Sequence, residues 1–329
     1  MLKRGLIVGK FYPPHQGHKY LIDFAASRVD QLTVILCQKP DEQPPGELRA
    51  GWLREIHPTV KVILIDDVYD EQDSKVWAEN SIRWLGFVPD VVFTSENYGE
   101  AFAKFLRCEH VLIDQARIHV PISGTKVRFD ALNNWEYLEP PVRGWYAKRV
   151  CLVGAESTGK TTLAQHLAEH YQTIWVPEYG REYTERRLTQ ENNFQWSSAE
   201  FTHIAQTQCD LENEAARQAN KLLICDTDAF VTAIWHRRYL GERSIEVETI
   251  AANHRLPDLY FLTDVKTPFE QDGTRDGEAI REWMHETFVQ ELTAQNRRFL
   301  FIDGSPAERF EKAISAIEPL LLTKTGEAK

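Results

Sequence analysis

Two glycine-bearing segments constrain the fold of this chain more than any other feature. The first is G-K-F-Y-P-P-H-Q-G-H at residues 9–18, and the second is G-A-E-S-T-G-K-T at residues 154–161. Each follows a short apolar run and precedes a segment of helical character, which is the order of strand, loop and helix that phosphate-binding α/β proteins use. The sequence therefore predicts two nucleotide-using α/β enzymes joined end to end.

The remaining apolar runs support this division of the 329 residues. They alternate with helix-length segments such as 17–29, 47–57, 74–86 and 162–170, a pattern typical of a parallel sheet covered on both faces. The predicted strands are 6–8, 32–37, 60–65, 91–93 and 111–113 in the first half, and 149–153, 173–176, 222–225, 259–262 and 299–302 in the second. An aromatic stretch with two prolines and no clear period, 133–148, lies between them. We therefore predict one domain over residues 1–146 and another over residues 147–329.

The composition excludes several classes of protein. A net charge of -11 argues against a broad basic surface for nucleic acid. The five cysteines show no C-x-x-C spacing, so we predict reduced thiols, mostly in the core. No apolar run approaches the roughly 20 residues of a membrane span, and the N-terminal apolar run is too short for a signal peptide. We expect a cytoplasmic protein that binds neither nucleic acid nor membrane.

The first glycine-bearing segment carries two histidines at the predicted start of a helix. His15 and His18 flank Gly17, and on a first helical turn they could point toward one anion. The free N–H groups and the dipole of that helix favour phosphate as well. The predicted nucleotide contacts are Gly9, Lys10, Phe11, His15 and His18.

A second element of the first half is I-S-G-T-K-V-R at residues 122–128. A helix start rich in Ser and Thr, with an arginine one turn inside, can hold the β- and γ-phosphates of ATP. The predicted contacts here are Ser123, Thr125 and Arg128.

Together these two elements resemble the phosphate motifs of nucleotidyltransferases similar to nicotinamide-nucleotide adenylyltransferase. The resemblance implies a Rossmann-like sheet, and a reaction that joins the 5'-phosphate of a mononucleotide to the α-phosphorus of ATP and expels pyrophosphate. His18 and Arg128 would be the main electrostatic groups, with His15 and Lys10 assisting and Mg²⁺ bridging phosphates. The acceptor stays open at this point, because phosphopantetheine adenylyltransferases share the first motif.

The segment F-T-S-E-N-Y-G-E at residues 93–100 bears on the acceptor. It follows a predicted strand and resembles the loop beside the pyridine-nucleotide pocket in the nicotinamide members, so Asn97 and Tyr98 become predicted substrate contacts. An ordinary capped turn between strand and helix is the alternative. Trp52 and Trp84 could stack on a nicotinamide ring, although a tryptophan in a helix more often packs in the core.

The second glycine-bearing segment fits G-x-x-x-x-G-K-[ST] without departure. In such a P-loop, backbone N–H groups cradle phosphates, Lys160 reaches the β- and γ-oxygens, and Thr161 is a ligand of Mg²⁺. The predicted ATP contacts are Gly154, Ser157, Thr158, Gly159, Lys160, Thr161 and Thr162.

Carboxylates follow two predicted strands of the second half. Glu178 opens the segment E-Y-G-R-E, and Asp226 opens D-T-D. An acidic residue at either strand end could accept the proton of a substrate hydroxyl, and Asp226 also suits a metal ligand, so the two are rival general bases. Arg181 and Asp228 are further predicted substrate contacts, although one aspartate of D-T-D also suits a helix N-cap.

A charged segment, D-G-T-R-D-G at residues 272–277, follows the predicted strand 259–262. It resembles the lid of nucleoside and nucleotide kinases, whose arginines close over the transferring phosphoryl group. Arg275 could neutralise charge in the transition state, and a solvated loop is the alternative.

An adenylyltransferase followed by a P-loop kinase with these segments resembles the NadR family, across nearly the whole chain. The resemblance implies two consecutive reactions, phosphorylation of nicotinamide riboside by ATP to the mononucleotide and adenylation of that product to NAD. Pro177 stands where some relatives have tryptophan, so recognition of the nicotinamide ring would depend on other aromatics such as Trp196 or Trp235.

Some members carry an N-terminal helix-turn-helix, and we expect the form without it, because Met1 lies only a few residues before the first predicted strand. A homo-oligomer is a further expectation. Two alternatives to the two-step enzyme stay open: a sensor that binds ATP and NAD with weak turnover, and an enzyme acting on another vitamin-derived nucleotide.

Overall fold

The computed structural model describes residues 3–190, 195–272 and 277–322. The chain divides into two compact units, one ending at Trp145 and the other running from Tyr146 to Leu322. Each unit contains a five-stranded sheet in which every pair of neighbouring strands is parallel. The predicted fold class, α/β with two parallel sheets, is confirmed.

The sheet of the first unit has the order β3-β2-β1-β4-β5. Its strands are β1 (Arg4–Gly9), β2 (Gln31–Gln38), β3 (Lys61–Asp66), β4 (Val91–Thr94) and β5 (Glu109–Leu112). The helices are α1 (Gln16–Ala26), α2 (Gly46–Ile56), α3 (Ser74–Leu85), α4 (Gly99–Leu106), α5 (Gly124–Phe129) and α6 (Pro140–Tyr146), with a 3₁₀ turn at Trp135–Tyr137. The sequence did not predict helix α6, because the aromatic stretch contains two prolines and no helical periodicity. Both prolines occupy the first turn of α6, where the missing N–H would have no helical partner and therefore costs little.

Alternating side chains of the central strands build a core on each face of this sheet. Ile7 and Val34 pack on one face, together with residues of α1 and α2. Leu6 and Ile35 pack on the other face, with residues of α3 and α4. Because both faces are covered, the strands read as continuous apolar runs, which is why the sequence predicted a parallel sheet.

The sheet of the second unit has the order β10-β9-β6-β8-β7. Its strands are β6 (Lys148–Val153), β7 (Trp175–Val176), β8 (Leu222–Asp226), β9 (Leu259–Thr263) and β10 (Phe299–Ile302). The helices are α7 (Lys160–His170), α8 (Tyr179–Gln190), α9 (Ser198–Gln218), α10 (Ala229–Leu240), α11 (Ile245–Asn253), α12 (Arg281–Ala294) and α13 (Pro306–Leu321), with a 3₁₀ turn at Glu278–Ile280.

The central strand of each sheet determines where the glycine-bearing segments lie. Strand β1 pairs with β2 on one side and β4 on the other, and β6 pairs likewise with β8 and β9. The connections reverse direction at these strands, and such a switch point leaves a crevice at the carboxyl ends of the strands. Each segment therefore opens into the crevice of its own sheet.

Polar caps and glycines explain where several helices begin and end. The Asp73 carboxylate accepts the N–H of Val76 at the start of α3, at 3.0 Å, and Gly86 ends the helix with φ of +79°. Ser305 caps α13, and the Glu308 carboxylate accepts the N–H of Ser305 at 2.7 Å. These are ordinary helix signals that the sequence carries locally.

All five cysteines are free thiols and four of them are buried, which confirms the prediction of reduced core residues. Within residues 3–190, 195–272 and 277–322, none of the helices combines the length and the apolar character that crossing a membrane requires.

Candidate functional site

A cavity of about 750 Å³ lies at the carboxyl ends of the strands of the first unit. Both sequence elements of this unit contribute to its wall. The predicted residues that line it are Gly9, Lys10, Phe11, His15, His18, Tyr98, Ser123, Thr125 and Arg128. Asn97 is not among the lining residues, and its side-chain oxygen accepts a hydrogen bond from Gln115.

His15 lies just before helix α1 rather than on its first turn. Its Nδ1 atom accepts the backbone N–H groups of Gly17, at 3.1 Å, and His18, at 3.3 Å. Two amides that the sequence assigned to phosphate are therefore occupied by a side chain, which corrects that expectation. Because Nδ1 accepts, the proton of the neutral ring is on Nε2.

The two histidine rings stack with their centroids 3.7 Å apart. Burial, and to a smaller extent the positive charge of Arg117, lower the pKa of His15 to about 3. Burial also holds the pKa of His18 well below its usual range, with contributions from His15 and Arg117. Both rings are neutral near pH 7, so they can stabilise an anion through hydrogen bonds and not through a full positive charge.

Arg128 joins the second element to the first. Its guanidinium donates to the backbone oxygen of Tyr12, donates to Thr125 Oγ1 at 3.2 Å, and lies 4.5 Å from the centroid of the Tyr12 ring. Gly124 permits this approach, because a Cβ atom there would overlap the Tyr12 carbonyl oxygen. Sequence reasoning missed Tyr12, which occupies a variable position inside the first motif.

Lysines at the cavity wall are paired with carboxylates. Lys10 Nζ lies 2.5 Å from Glu71 and 3.7 Å from Asp67, and Lys39 Nζ lies 3.4 Å and 3.8 Å from the same two residues. The Asp67 Oδ1 atom is buried and has no hydrogen bond in the described part of the chain. A phosphate entering here would replace carboxylates as the partner of both lysines. Lys39 was missed because it follows a strand singly, without a motif.

Asp114 shapes a loop that carries another cation. With φ of +44°, it accepts the backbone N–H groups of residues 118–120 at 2.8 to 3.1 Å. Arg117, inside this loop, lines the cavity and lies 3.0 Å from Glu96. Sequence reasoning missed both residues, although the spacing D-x-x-R directly after a predicted strand was available as a signal.

Neither of the two tryptophans considered for stacking on a nicotinamide ring, Trp52 and Trp84, is among the residues that line the cavity. Trp52 is buried with its ring edge-on to Trp145 at 6.5 Å. Trp84 packs beside Trp77 at 6.1 Å, in the core beneath the sheet. Trp77 lines the cavity instead, and its indole N–H donates to the backbone oxygen of Asp70 at 2.9 Å.

A second cavity, of about 190 Å³, lies at the P-loop of the second unit. Every predicted ATP contact of the P-loop contributes to its wall. The predicted residues that line it are Gly154, Ser157, Thr158, Gly159, Lys160, Thr161, Thr162, Glu178, Arg181, Trp196 and Trp235.

The P-loop leaves the amino end of α7 open. Gly154 and Gly159 have φ of +142° and +81°, which side chains disfavour, and a Cβ atom on Gly154 would overlap the Thr263 hydroxyl. Gly159 is the N-cap residue and offers no side chain to the first amides of the helix. Lys160 Nζ donates to the backbone oxygens of Gly154 at 3.0 Å and Ala155 at 2.8 Å. The loop thus combines uncapped amides with one cation.

A buried arginine, Arg309, holds the P-loop through hydrogen bonds to its backbone and to neighbouring residues. Arg309 donates to the Thr158 backbone oxygen at 2.7 Å and to Thr267 Oγ1 at 2.8 Å, and it is paired with Asp264. The Thr158 hydroxyl itself bonds the Thr263 hydroxyl at 2.7 Å. Sequence reasoning missed Arg309, because nothing near it in the chain resembles a motif.

Thr161 and Asp226 bring two oxygens together beneath the loop. The Thr161 hydroxyl donates to Asp226 Oδ2, while Oδ1 is buried without a hydrogen bond among the described residues. Burial raises the pKa of Asp226, and Lys160 acts in the opposite direction. A carboxylate and a hydroxyl oxygen at a P-loop fit Mg²⁺, which takes few protein ligands beside phosphate oxygens and water. The described residues contain no cluster of three or more His, Cys, Asp or Glu side chains suited to a metal.

Glu178 lines the second cavity, whereas Asp226 is not among its lining residues. Burial raises its pKa to about 7, Lys160 opposes this shift, and the nearby Asp226 adds to it. A carboxylate with a pKa near neutrality can both accept and release a proton at physiological pH.

The other predicted polar contacts have different positions. Arg181 is paired with Asp272 and lies 3.2 Å from Glu185. The structure does not bring Asp228 to the cavity: it is the N-cap of α10, and it accepts the Tyr260 hydroxyl at 2.6 Å. The helix-cap alternative therefore describes Asp228. Arg275 lies outside the described residues.

Several aromatic side chains line this cavity. The Trp196 ring lies 5.4 Å from that of Tyr239, and Trp235 stacks on Tyr239 at 5.9 Å. All three residues line the cavity, with Phe201 behind them. Tyr239 was missed, although it follows Trp235 by one helical turn.

Comparisons with known proteins give one matching family model and several relatives. A family model described as an AAA domain matches residues 149–309. The trifunctional NAD biosynthesis/regulator protein NadR of Escherichia coli K12 is 29% identical, over 96% of this chain and 83% of its own length. A nicotinamide-nucleotide adenylyltransferase of Thermococcus kodakarensis is 26% identical over 54% of this chain and 100% of its own.

Among solved structures, a crystal structure of a NadR protein in complex with NR covers 100% of this chain and 99% of its own, with a TM-score of 0.79 and 21% identity. A NadR structure in complex with NAD and AMP-PNP covers 99% and 98%, with a TM-score of 0.78 and 21% identity. At 21% identity the similarity establishes the fold alone, and each of these two structures shares that fold with this chain over nearly the whole length.

Proposed function

We infer that this chain, which is homologous to the NadR proteins over nearly its whole length, is a bifunctional enzyme of NAD synthesis. Residues 147–329 form a kinase domain that transfers the γ-phosphoryl group of ATP to nicotinamide riboside. Residues 1–146 form an adenylyltransferase domain that joins the product to ATP, giving NAD and pyrophosphate. The observation that carries this proposal is that each sheet has its own cavity, and each cavity is walled by its own phosphate-binding loop.

In the kinase domain, the P-loop amides and Lys160 bind the phosphates of ATP. Mg²⁺ held by Thr161 and Asp226 would supply charge neutralisation at the β- and γ-phosphates when bound. The hydrogen bond from Thr161 and the buried Oδ1 atom, which has no hydrogen bond among the described residues, support Asp226 as the metal ligand.

Glu178 then remains as the general base. It lines the cavity directly, and a pKa of about 7 lets it take the proton of the 5'-hydroxyl as that oxygen attacks the γ-phosphorus. Arg181 can exchange Asp272 for the transferring phosphoryl group. The aromatic wall of Trp196, Trp235 and Tyr239 offers flat faces to the nicotinamide ring.

In the adenylyltransferase domain, the protein positions two nucleotides and neutralises charge, since no covalent intermediate is required. The neutral His18 ring and the Arg128 guanidinium contact the phosphates, and His15 holds the loop through its cap. Lys10 and Lys39 exchange Glu71 and Asp67 for phosphate oxygens.

The test follows both reactions in one sample by phosphorus NMR. The purified chain is incubated with nicotinamide riboside, ATP and Mg²⁺, and ADP, mononucleotide, pyrophosphate and NAD are quantified over time. We expect ADP and the mononucleotide first, followed by pyrophosphate and NAD. A sample with excess chelator is the control. If the riboside stays intact while added mononucleotide yields NAD, the second unit has another substrate; if neither reaction occurs, the chain is not this enzyme.

A further inference from the structure

The middle residue of the D-T-D segment has an unusual backbone conformation. Thr227 has φ of +101°, a region that β-branched residues rarely adopt, and it is only 4% exposed. Such a conformation costs free energy and persists only where the surrounding structure holds it in place.

Both neighbours of Thr227 are fixed. Asp226 ends β8 and accepts the Thr161 hydroxyl. Asp228 caps α10 through the N–H of Val231 and accepts the Tyr260 hydroxyl. With a strand end on one side and a helix cap on the other, Thr227 cannot relax without breaking one of them.

The side chain of Thr227 is unsatisfied as well. The residue lines the second cavity, and its Oγ1 atom is buried without a hydrogen bond anywhere in residues 3–190, 195–272 and 277–322. Thr232 lines the same cavity, yet its hydroxyl donates to the Asp228 backbone oxygen at 3.4 Å. A buried hydroxyl without a partner is costly, and strain together with an unused hydroxyl at one cavity residue indicates a ligand contact.

The position of Thr227 specifies which part of a ligand it meets. It directly follows Asp226, which lies beside Thr161 at the phosphate end of the cavity. The aromatic side chains of Trp196, Trp235 and Tyr239 line the same cavity. Between a phosphoryl acceptor and an aromatic ring, a nucleoside has its sugar, whose hydroxyls both donate and accept hydrogen bonds, as a threonine hydroxyl does.

We propose that Thr227 binds a ribose hydroxyl of the nucleoside acceptor through Oγ1 and so fixes the sugar beneath the P-loop. This assignment rests on the proposed kinase function. The strained backbone is retained because it places the hydroxyl in the cavity wall. A buried water satisfying the same hydroxyl is the competing outcome.

The test compares Thr227→Val, which keeps the branched shape and removes the hydroxyl, with Thr227→Ser, which keeps the hydroxyl. We expect Thr227→Val to raise the KM for the riboside about tenfold, equivalent to about 1.4 kcal/mol, with the KM for ATP and the melting temperature nearly unchanged. Thr227→Ser should restore the KM of the wild type. Thr232→Val, which removes the satisfied hydroxyl, is the matched control and should leave the KM for the riboside in place.

Substrates lacking one ribose hydroxyl identify the partner. The 2'-deoxy and 3'-deoxy ribosides are assayed with the wild type and with Thr227→Val. For the riboside that lacks the bonded hydroxyl, the two proteins should have the same KM, because the interaction is already absent. Thr227→Gly, which also relieves the backbone strain, should raise the KM for the riboside and the melting temperature together.

Equal KM values for the riboside in the wild type and Thr227→Val would overturn the assignment, and so would an equal penalty from Thr227→Val with every deoxy analogue. A wild-type chain that leaves the riboside unphosphorylated would refute the proposed kinase function, and this assignment with it. An active wild type with an unaffected Thr227→Val would refute only the role of Thr227.

Discussion

The two phosphate-binding loops share a framework and differ in how they present it to an anion. Each follows the central strand of a parallel sheet and leads into a helix. In the first loop, the ring of His15 occupies two amides at the start of α1, and neutral rings and an arginine face the cavity. In the second loop, Gly159 leaves the amides of α7 uncapped, and Lys160 lies over them.

The two loops differ in whether backbone N–H groups or side chains provide most of the hydrogen-bond donors for an anion. The P-loop can surround a triphosphate with main-chain donors, so that Lys160 and the proposed metal ligands would complete the site. In the first loop, two backbone N–H groups already donate to the His15 ring. Binding of an anion there therefore depends on side chains from several elements. Substitution of a single side chain should therefore disturb the two sites to different extents.

Removal of the P-loop lysine should have the largest effect. Lys160→Ala should lower riboside phosphorylation by about 10³-fold or more. The variant lacks the cation that would neutralise the charge developing on the β- and γ-phosphates in the transition state. Adenylation of the mononucleotide by the same protein should be unchanged, and it serves as the internal control for folding. Loss of both activities in a folded chain would contradict two separate sites.

His18→Ala should produce the reverse pattern. We expect NAD formation from the mononucleotide to fall by about 10²-fold, as for loss of one preorganised donor, with phosphorylation of the riboside unaffected. His18→Asn, which keeps a hydrogen-bond donor, should recover part of the rate. Equal rates for the asparagine and alanine variants would show that donation by His18 does not matter.

The activities of the two sites should depend differently on pH, because only the kinase site has a proposed general base, Glu178, with a pKa near 7. Kinase activity should rise with pH through about 7 as Glu178 ionises, whereas the histidines of the first site stay neutral over this range. Glu178→Gln should lower phosphorylation by about 10²-fold. Its rate should no longer depend on pH near 7, while adenylation should be unaltered.

Glu178→Gln should also change stability, with a defined sign. The folded pKa of about 7 lies above the usual value of 4.5, so protonation stabilises the folded state below pH 4.5 and this contribution is lost as pH rises through 7. The variant should therefore melt at a higher temperature than the wild type at pH 8 and at the same temperature near pH 4.5. A lower melting temperature at pH 8 would mean that the carboxylate is stabilised by its surroundings.

Replacement of the histidine cap should have the smallest effect and tests its double role. His15→Ala should destabilise the chain by about 1 kcal/mol through loss of the cap, whereas His15→Ser should keep the cap. Both should slow adenylation to a similar extent, because both remove the ring stacked on His18. Denaturant unfolding and initial rates give the two readouts. Full adenylation by His15→Ser would reduce His15 to a cap alone.

Local sequence predicted the parts of this molecule that depend on neighbours in the chain. The apolar runs and the glycine-bearing segments predicted both sheets and placed Lys160, Thr161 and Glu178 at one cavity. The resemblance to nucleotidyltransferases joined the two elements of the first unit, which meet where Arg128 contacts Tyr12.

Groups that depend on distant packing were missed or misplaced. Arg309 braces a P-loop far away in the chain, and nothing local indicates it. Asp228 stands only two residues after Asp226, yet its carboxylate accepts the Tyr260 hydroxyl, whereas that of Asp226 accepts the Thr161 hydroxyl. His15 was placed on the helix, because a periodic pattern does not show whether a polar residue begins a helix or caps it.

The most direct test of the central claim, two independent sites in consecutive reactions, is complementation between inactive chains. Lys160→Ala and His18→Ala are incubated separately and together with nicotinamide riboside, ATP and Mg²⁺, and NAD is quantified. Each variant alone should form almost no NAD, and the mixture should form it, because mononucleotide made by one chain is adenylated by the other. A mixture that forms no more NAD than its components, with both proteins folded, would contradict the account.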